Sequence, residues 1–365
     1  MNKLLVSSLL VLVPAFAVAQ EGPPPVRVAI VGLVHDHVGG MIPSLTGRKD
    51  VQLVGIVEPD TKLAASYAGR FHLDPSLFFP TLDALRATAK VQAVATFTST
   101  FDHRRVVEMC APLGIDVMME KPFAISMGDA RAMAAAAAKG GIQLIVNYET
   151  TWYRSTQGAH AFVDGHRGIG EIRKIVVHDG HQGPAAIGCS PAFLEWLTDP
   201  VKNGGGALMD FGCYGADLAT WLMEGQRPVS VFAVTQHLQP AAYPKVDDEA
   251  TIVVTYPHAQ AILQASWNWP YGRKDMEIYG QSGAVLLPDR NSLVLRKGDA
   301  PDVALPAPEL AGPDRDPLSY LAAVVRREIT PSGLSSVEVN MVATEILDAA
   351  RESARTGRRV DLPQP

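Results

Sequence analysis

Residues 26–32 read VRVAIVG, a run of β-branched apolar residues ending on a glycine, and no other feature limits the fold as strongly. A strand apolar on both faces has to be buried on both, which is the situation of a parallel sheet covered by helices. The next segments keep that rhythm. VQLVGIVE ends at Glu58, a helical stretch covers about 62–71, AVATFT ends at Thr98 and IDVMME ends at Glu120. A helix then starts at Ser126 as N-cap and stops at Gly140-Gly141, before GIQLIVNY. Alternation of this kind predicts βαβ units and a doubly wound parallel sheet over residues 26–148.

After Glu171 the pattern changes. EIRKIVVH, VSVFAVTQHL, ATIVVTY, AQAILQASW and MEIYG are strands joined by turns with no helix after each, as in an open, largely antiparallel sheet. We assign residues 149–362 to this second, α+β domain. One helix is expected inside it, following Gly204-Gly205-Gly206 over about 207–222, and two close the chain over about 317–328 and 335–356. A chain of 365 residues has room for two cores with a cleft between them.

Residues 1–19 carry Lys3, a short apolar run interrupted by Pro14, and Ala17-Val18-Ala19, the layout of a cleaved export signal. The mature protein is expected in the periplasm or outside the cell, with no membrane attachment after cleavage. A formal charge of -6 without a basic stripe excludes nucleic acid as a partner. The odd set Cys110, Cys189 and Cys213 argues against a disulfide framework and for buried thiols.

Gly32 stands where the first strand must turn into a helix, the place where such sheets present backbone N–H groups to a pyrophosphate. The next residues, Leu33-Val34-His35-Asp36-His37, keep none of the remaining glycines of the G-x-G-x-x-G fingerprint. Glu58, 26 residues beyond Gly32, ends the second strand, where a carboxylate accepts hydrogen bonds from adenosine ribose hydroxyls and repels a 2′-phosphate. NAD is therefore expected rather than NADP. His35-Asp36-His37 has metal-binding residue types, but no third or fourth ligand is evident and no metal is expected.

Met119-Glu120-Lys121-Pro122 places an ammonium at the carboxyl end of a parallel strand, where open α/β sheets gather ligands. Upstream, TSTFDH supplies Thr98, Ser99, Asp102 and His103; downstream, 204–214 reads GGGALMDFGCY. These blocks resemble the glucose-fructose oxidoreductase, inositol dehydrogenase and MocA family, with Ser99 in place of a usual proline and Tyr214 where many members have histidine. The resemblance implies an N-terminal Rossmann domain and a nicotinamide cofactor. It implies that Lys121 contacts the reacting hydroxyl, Asp210 orients substrate and Tyr214 moves the proton, with Lys121 favouring the phenolate. The cofactor contacts are then Gly32, Val34, His35, His37, Glu58, Thr98, Ser99, His103, Glu120 and Lys121. Asp210 and Tyr214, four apart, are expected on one helix face.

Asn147, Tyr148 and Trp152, at the exit from the first domain, and His178 and His181, at a strand end in the second, have side chains suited to sugar hydroxyls and faces. They serve equally as hinge packing. The resemblance further implies a carbohydrate or polyol substrate and a homo-oligomer formed through the second sheet. Because an exported protein meets little free cofactor, tightly held and internally recycled NAD is the expectation. Two other functions stay open: a glycoside hydrolase, lyase or epimerase working through a transient keto-sugar, and a redox-inactive sugar- or nucleotide-binding protein, which the eroded glycine turn favours.

Overall fold

The computed structural model describes residues 22–163, 168–224 and 226–364; the segment 1–19 expected to direct export lies outside them. The first sheet holds β1 (Val26–Val31), β2 (Val51–Val57), β3 (Phe78–Phe79), β4 (Ala93–Thr96), β5 (Asp116–Glu120) and β6 (Leu144–Asn147). All its pairings are parallel, and the strand order is β3-β2-β1-β4-β5-β6. That order reverses direction between β1 and β4, so the carboxyl ends of the strands open a crevice there. Helices α1 (Val38–Leu45), α2 (Thr61–Phe71), α3 (Leu82–Arg86), α4 (His103–Cys110) and α5 (Met127–Gly140) cover the two faces. Their ends reflect local chemistry. The Asp60 carboxylate accepts the N–H groups of Lys62 and Leu63, Ser126 accepts that of Asp129, and Gly141 closes α5 in the left-handed conformation.

After α6 (Arg154–Val163) comes the second sheet: β7 (Ile172–Gly180), β8 (Ser230–Gln236), β9 (Glu249–Thr255), β10 (Gln260–Ser266), β11 (Arg273–Gly280), β12 (Ala284–Asp289), β13 (Ser292–Arg296), β14 (Val303–Leu305) and β15 (Val360–Asp361). Its order is β14-β13-β12-β11-β7-β10-β9-β8-β15. The pairings are antiparallel except that of β7 with β10, which is parallel. The exception has a topological cause. Between β7 and β8 the chain leaves the sheet for α7 (Pro191–Leu197), α8 (Ala207–Asp210) and α9 (Gly212–Leu222), then returns through the β8-β9-β10 meander, and such a crossover is what a parallel pair requires. The expected single helix over 207–222 is thus two helices.

Helices α10 (Pro317–Val325) and α11 (Val337–Thr356) close the chain. Sequence places both in the second domain, yet Leu318, Leu321 and Val324 of α10 share one apolar cluster with Val26, Val28 and Ile30 of β1 and Met41 of α1. The chain end therefore crosses back to cover the parallel sheet, and Arg48 pairs with Asp316 at 3.0 Å where it does so. Cys110 and Cys213 are buried free thiols and Cys189 is half-buried. No helix among the described residues is long and apolar enough to cross a membrane.

One residue inside α9 works against this packing. Asp217 is fully buried, neither carboxylate oxygen has a partner among the described residues, and burial pushes its carboxyl well above the ordinary range. A raised carboxyl contributes stability that is complete below the unfolded value near 4 and is lost as pH rises. Asp217→Asn is therefore expected to raise the melting temperature at pH 7, by about 1–3 kcal/mol of stability, with no difference from wild type at pH 3. Melting curves of both proteins across that range check it.

Candidate active site

Lys121 leaves the end of β5 ahead of a cis peptide to Pro122, and its ammonium is buried. It donates to the Asp210 carboxylate and, at 3.1 Å, to the Asp210 backbone carbonyl. The second carboxylate oxygen of Asp210 accepts the Trp267 indole N–H at 2.9 Å. Burial works against both charges, but each is held by the other: Asp210 keeps the ammonium of Lys121 charged, and Lys121 draws the Asp210 carboxyl below its ordinary value.

This contact also explains the broken helix. In a continuous helix the Asp210 carbonyl would accept the N–H of Tyr214. Here it takes the Lys121 ammonium and the Cys213 thiol, and the Tyr214 N–H turns to the Phe211 carbonyl at 3.2 Å. Asp210 and Tyr214 are consequently on successive helices, not on one helical face as expected. Upstream, the Asp247 carboxylate accepts the N–H groups of Gly206 and Leu208, and a Cβ on Gly206 would lie 1.8 Å from the Asp247 carbonyl oxygen. The glycine block thus lets α8 start against Asp247, which fixes where Asp210 points.

Tyr214 lies beside the ion pair, with the Lys121 ammonium 5.2 Å from its ring centroid. The cation at its hydroxyl is a different one: Lys274 on β11 reaches the phenol oxygen at 3.3 Å and also pairs with Glu149. Lys121 is therefore not the group that meets the phenol, contrary to expectation. Burial first, and then the negative charge of Glu149, push the phenol well above its ordinary value, while the ammonium at 3.3 Å opposes them. Burial would raise the Glu149 carboxyl too, but the charge and hydrogen bond of Lys274 outweigh it and hold it at about 2. Lys121, Asp210, Tyr214, Lys274, Glu149 and His181 line one cavity of about 580 Å³.

A second cavity of about 900 Å³ adjoins it, bordered by Asp36, His37, Glu120, Asn147 and Trp152. Gly32 takes φ +82°, and a Cβ there would lie 2.6 Å from Thr98, so the turn needs glycine. Glu58 accepts the N–H groups of Leu33 and Asp60, both at 2.9 Å, and burial raises its carboxyl. Among the described residues, no acceptor is found for the N–H groups of Val34 and Asp36, so the turn offers two free donors even without the later glycines. The turn is anchored to the second domain: Asp36 accepts the backbone and hydroxyl of Ser190 at 2.7 and 2.6 Å, and the Val34 carbonyl accepts the Trp196 indole at 3.1 Å.

Residues 26–148 match the description "Oxidoreductase family, NAD-binding Rossmann fold" and residues 156–286 match "GFO/IDH/MocA C-terminal domain", together more than half of the chain. The chain belongs to the GFO/IDH/MocA oxidoreductase family. Its first domain is an NAD-binding Rossmann domain. Inositol 2-dehydrogenase of Rhizobium meliloti (strain 1021) is 25% identical over 343 residues, 87% of this chain and 94% of the relative. Trans-1,2-dihydrobenzene-1,2-diol dehydrogenase of Bos taurus is 24% identical over 345 residues, 91% and 96% of the two chains. In fold, the chain is similar to aldose-aldose oxidoreductase from Caulobacter crescentus complexed with glycerol, with TM-score 0.77, 23% identity, and 93% and 100% of the chains covered. It is also similar to an inositol dehydrogenase homolog from Azotobacter vinelandii complexed with NAD+, with TM-score 0.78, 19% identity, and coverage of 93% and 98%.

Within this family fold, many of the residues expected to bind cofactor or substrate line the two cavities, and His37 lines both. Lys121, Asp210, Tyr214 and His181 meet in the first cavity; His37, Glu120, Asn147 and Trp152 meet in the second. Others border neither cavity. Tyr148 is buried with its ring edge-on to Tyr214 at 5.4 Å, and His103 is buried with Nδ1 on the Phe123 carbonyl at 3.2 Å. His178 pairs with Asp275 at 2.9 Å. Thr98 and Ser99 are buried, bonding to Thr96 and Asp102. Tyr148 and His178 thus back Tyr214 and Asp275 in the wall of the first cavity, whereas His103, Thr98 and Ser99 bond to residues that line neither. Lys274, Trp267 and Asp247 escape sequence reasoning.

Proposed function

We propose that the protein is an NAD-dependent oxidoreductase acting on a hydroxyl of a sugar, glycoside or polyol, with the cofactor held tightly and regenerated in the same site. The observation that carries this reading is the meeting of the Lys121–Asp210 pair and the Tyr214–Lys274 pair in one cavity. Bound NAD would supply the hydride acceptor. Gly32, the free N–H groups of Val34 and Asp36, and Glu58 would hold its diphosphate and ribose; Glu58 favours NAD over NADP by repelling a 2′-phosphate. Glu58→Gln is expected to narrow that preference by about tenfold, equivalent to about 1.4 kcal/mol, in paired titrations with the two dinucleotides.

The residues of the chain divide the remaining work. Lys121, kept charged by Asp210, stabilises negative charge as it develops on the substrate oxygen. Tyr214 takes the hydroxyl proton as its phenolate, becoming the neutral phenol while the hydride leaves carbon and the carbonyl forms, and the Lys274 ammonium lowers the cost of that phenolate. Glu149 connects Lys274 to solvent, with a side chain 46% exposed. Return of the hydride to a second substrate would close the cycle. Inositol 2-dehydrogenase and aldose-aldose oxidoreductase among its relatives fit this substrate class.

Export is favoured by the character of residues 1–19 and gives a reason for keeping the cofactor. A homo-oligomer through the second sheet is favoured by the exposed apolar side chains Phe232 and Val234, two apart on β8. The hydrolase, lyase or epimerase reading uses the same first oxidation and differs only in the fate of the keto-sugar. Incubating the purified protein with a panel of glycosides, aldoses and polyols without added cofactor separates these. Recycling predicts paired oxidised and reduced sugars, hydrolysis predicts a released aglycone, and a binding protein predicts neither.

A further inference from the structure

Glu120 supplies what the His35-Asp36-His37 run lacks in sequence. One ring nitrogen of His35, one of His37 and one carboxylate oxygen of Glu120 lie within 4.8 Å of one another, and His37 Nδ1 is 2.9 Å from Glu120 Oε2. The expectation that no further ligand accompanies the two histidines is therefore corrected: the third stands 83 positions away in sequence, at the end of the parallel strand β5. From this arrangement we infer that His35, His37 and Glu120 form a site for one divalent first-row transition ion.

Four features build the site. Two imidazoles and one carboxylate are a donor set for zinc, cobalt, nickel or iron(II), whereas magnesium and calcium select oxygen. Ligand atoms around such an ion stand about 3.4 Å apart in a tetrahedral arrangement with bonds near 2.1 Å, so the three groups need adjustments of about 1 Å. Behind the carboxylate there is a supporting chain: Asn147 donates to Glu120 Oε1 at 2.8 Å, and the Trp152 indole donates to Asn147 at 2.9 Å. Metal-binding carboxylates are held in this manner, by groups that make no bond to the ion. Lastly, His35 is fully buried against Phe193 and Trp196, its Nδ1 accepts only the long 3.3 Å contact from the His37 backbone N–H, which an ion on that nitrogen would replace, and its Nε2 has no partner among the described residues, an arrangement that costs free energy. Asp36 is not a ligand, because both its oxygens are engaged by Ser190.

Three protein ligands leave coordination positions open. His37 borders both cavities, so a hydroxyl- or carboxylate-bearing molecule in either has access to the ion. An ion held by these three side chains does not depend on the proposed reaction, since all three belong to the chain.

The test uses the full chain without an affinity tag, stripped by chelator and titrated with Co²⁺. Visible absorbance reports the coordination, and competition with Zn²⁺ together with elemental analysis gives the stoichiometry. One saturating equivalent is expected in wild type. His37→Gln and Glu120→Gln should each weaken it more than about tenfold, and Asn147→Ala, which spares all three ligands, by about tenfold. His258→Gln, on an exposed turn, should leave it unchanged. His37 has a half-exposed side chain, so circular dichroism of that variant should match wild type. Failure of wild type to bind one saturating equivalent overturns the site. So does Co²⁺ affinity that is the same in His37→Gln and Glu120→Gln as in wild type.

Discussion

Lys121→Ala is expected to lower turnover by about 10²–10³-fold or more, through loss of the charge beside the reacting oxygen that Asp210 holds in place. It should also destabilise the protein. Lys121 and Asp210 are both buried, and removing one member of such a pair leaves the other charge uncompensated, at a cost of about 3–5 kcal/mol. The double variant Lys121→Met/Asp210→Asn removes both charges and is expected to recover most of that stability while turnover stays lost. Urea unfolding and steady-state rates on the three proteins separate the two roles. If the double variant regained turnover with its stability, Lys121 would be structural and the proposed chemistry would be wrong.

For the second pair, Tyr214→Phe is expected to cost about 10²–10⁴-fold in kcat, the range for a lost general base. The more discriminating change is at Lys274. Its ammonium favours the phenolate, so Lys274→Met should raise the apparent pKa of the phenol and move the acidic limb of kcat/KM to higher pH. Activity then falls at neutral pH and recovers in part as pH rises. Glu149→Gln should do the reverse, because the negative charge of Glu149 holds the phenol up, and the limb should move to lower pH. Opposite displacements from the two members of one ion pair are a signature that mere loss of packing would not produce. Equal, pH-independent losses in both variants would place Lys274 and Glu149 outside the proton path.

The parallel sheet is legible in sequence because its strands are apolar on both faces and its helix ends carry their own signals, such as Ser126 and Gly141 around α5. Lys121, Asp210 and Tyr214 stand out through resemblance, and the structure brings them together. What sequence cannot supply is anything set by side chains meeting across long separations. The break between α8 and α9 arises from the Lys121 ammonium taking a helical carbonyl, which no local propensity encodes. Glu120 joins His35 and His37 only because β5 and β1 end at the same edge of the sheet. Lys274 does leave a trace: it shares a period of two with Met276 and Ile278, both buried, so a lysine stands in register with the inner face of a strand. Helix α10 covers a different core from the expected one for a related reason, since an apolar helix face does not say which sheet it will meet.

If substrate carbon, Tyr214 and a nicotinamide ring share one cavity, hydride transfer is visible within a single turnover. Protein loaded with one equivalent of NAD⁺ is mixed rapidly with a polyol or aldose, and absorbance at the wavelength of the reduced nicotinamide is monitored. We expect a burst in wild type, slowed when the carbinol hydrogen is replaced by deuterium, and none in Tyr214→Phe on the same timescale. Loaded protein that binds these sugars and yet shows no absorbance change with any of them would mean that substrate, Tyr214 and nicotinamide do not meet in this cavity.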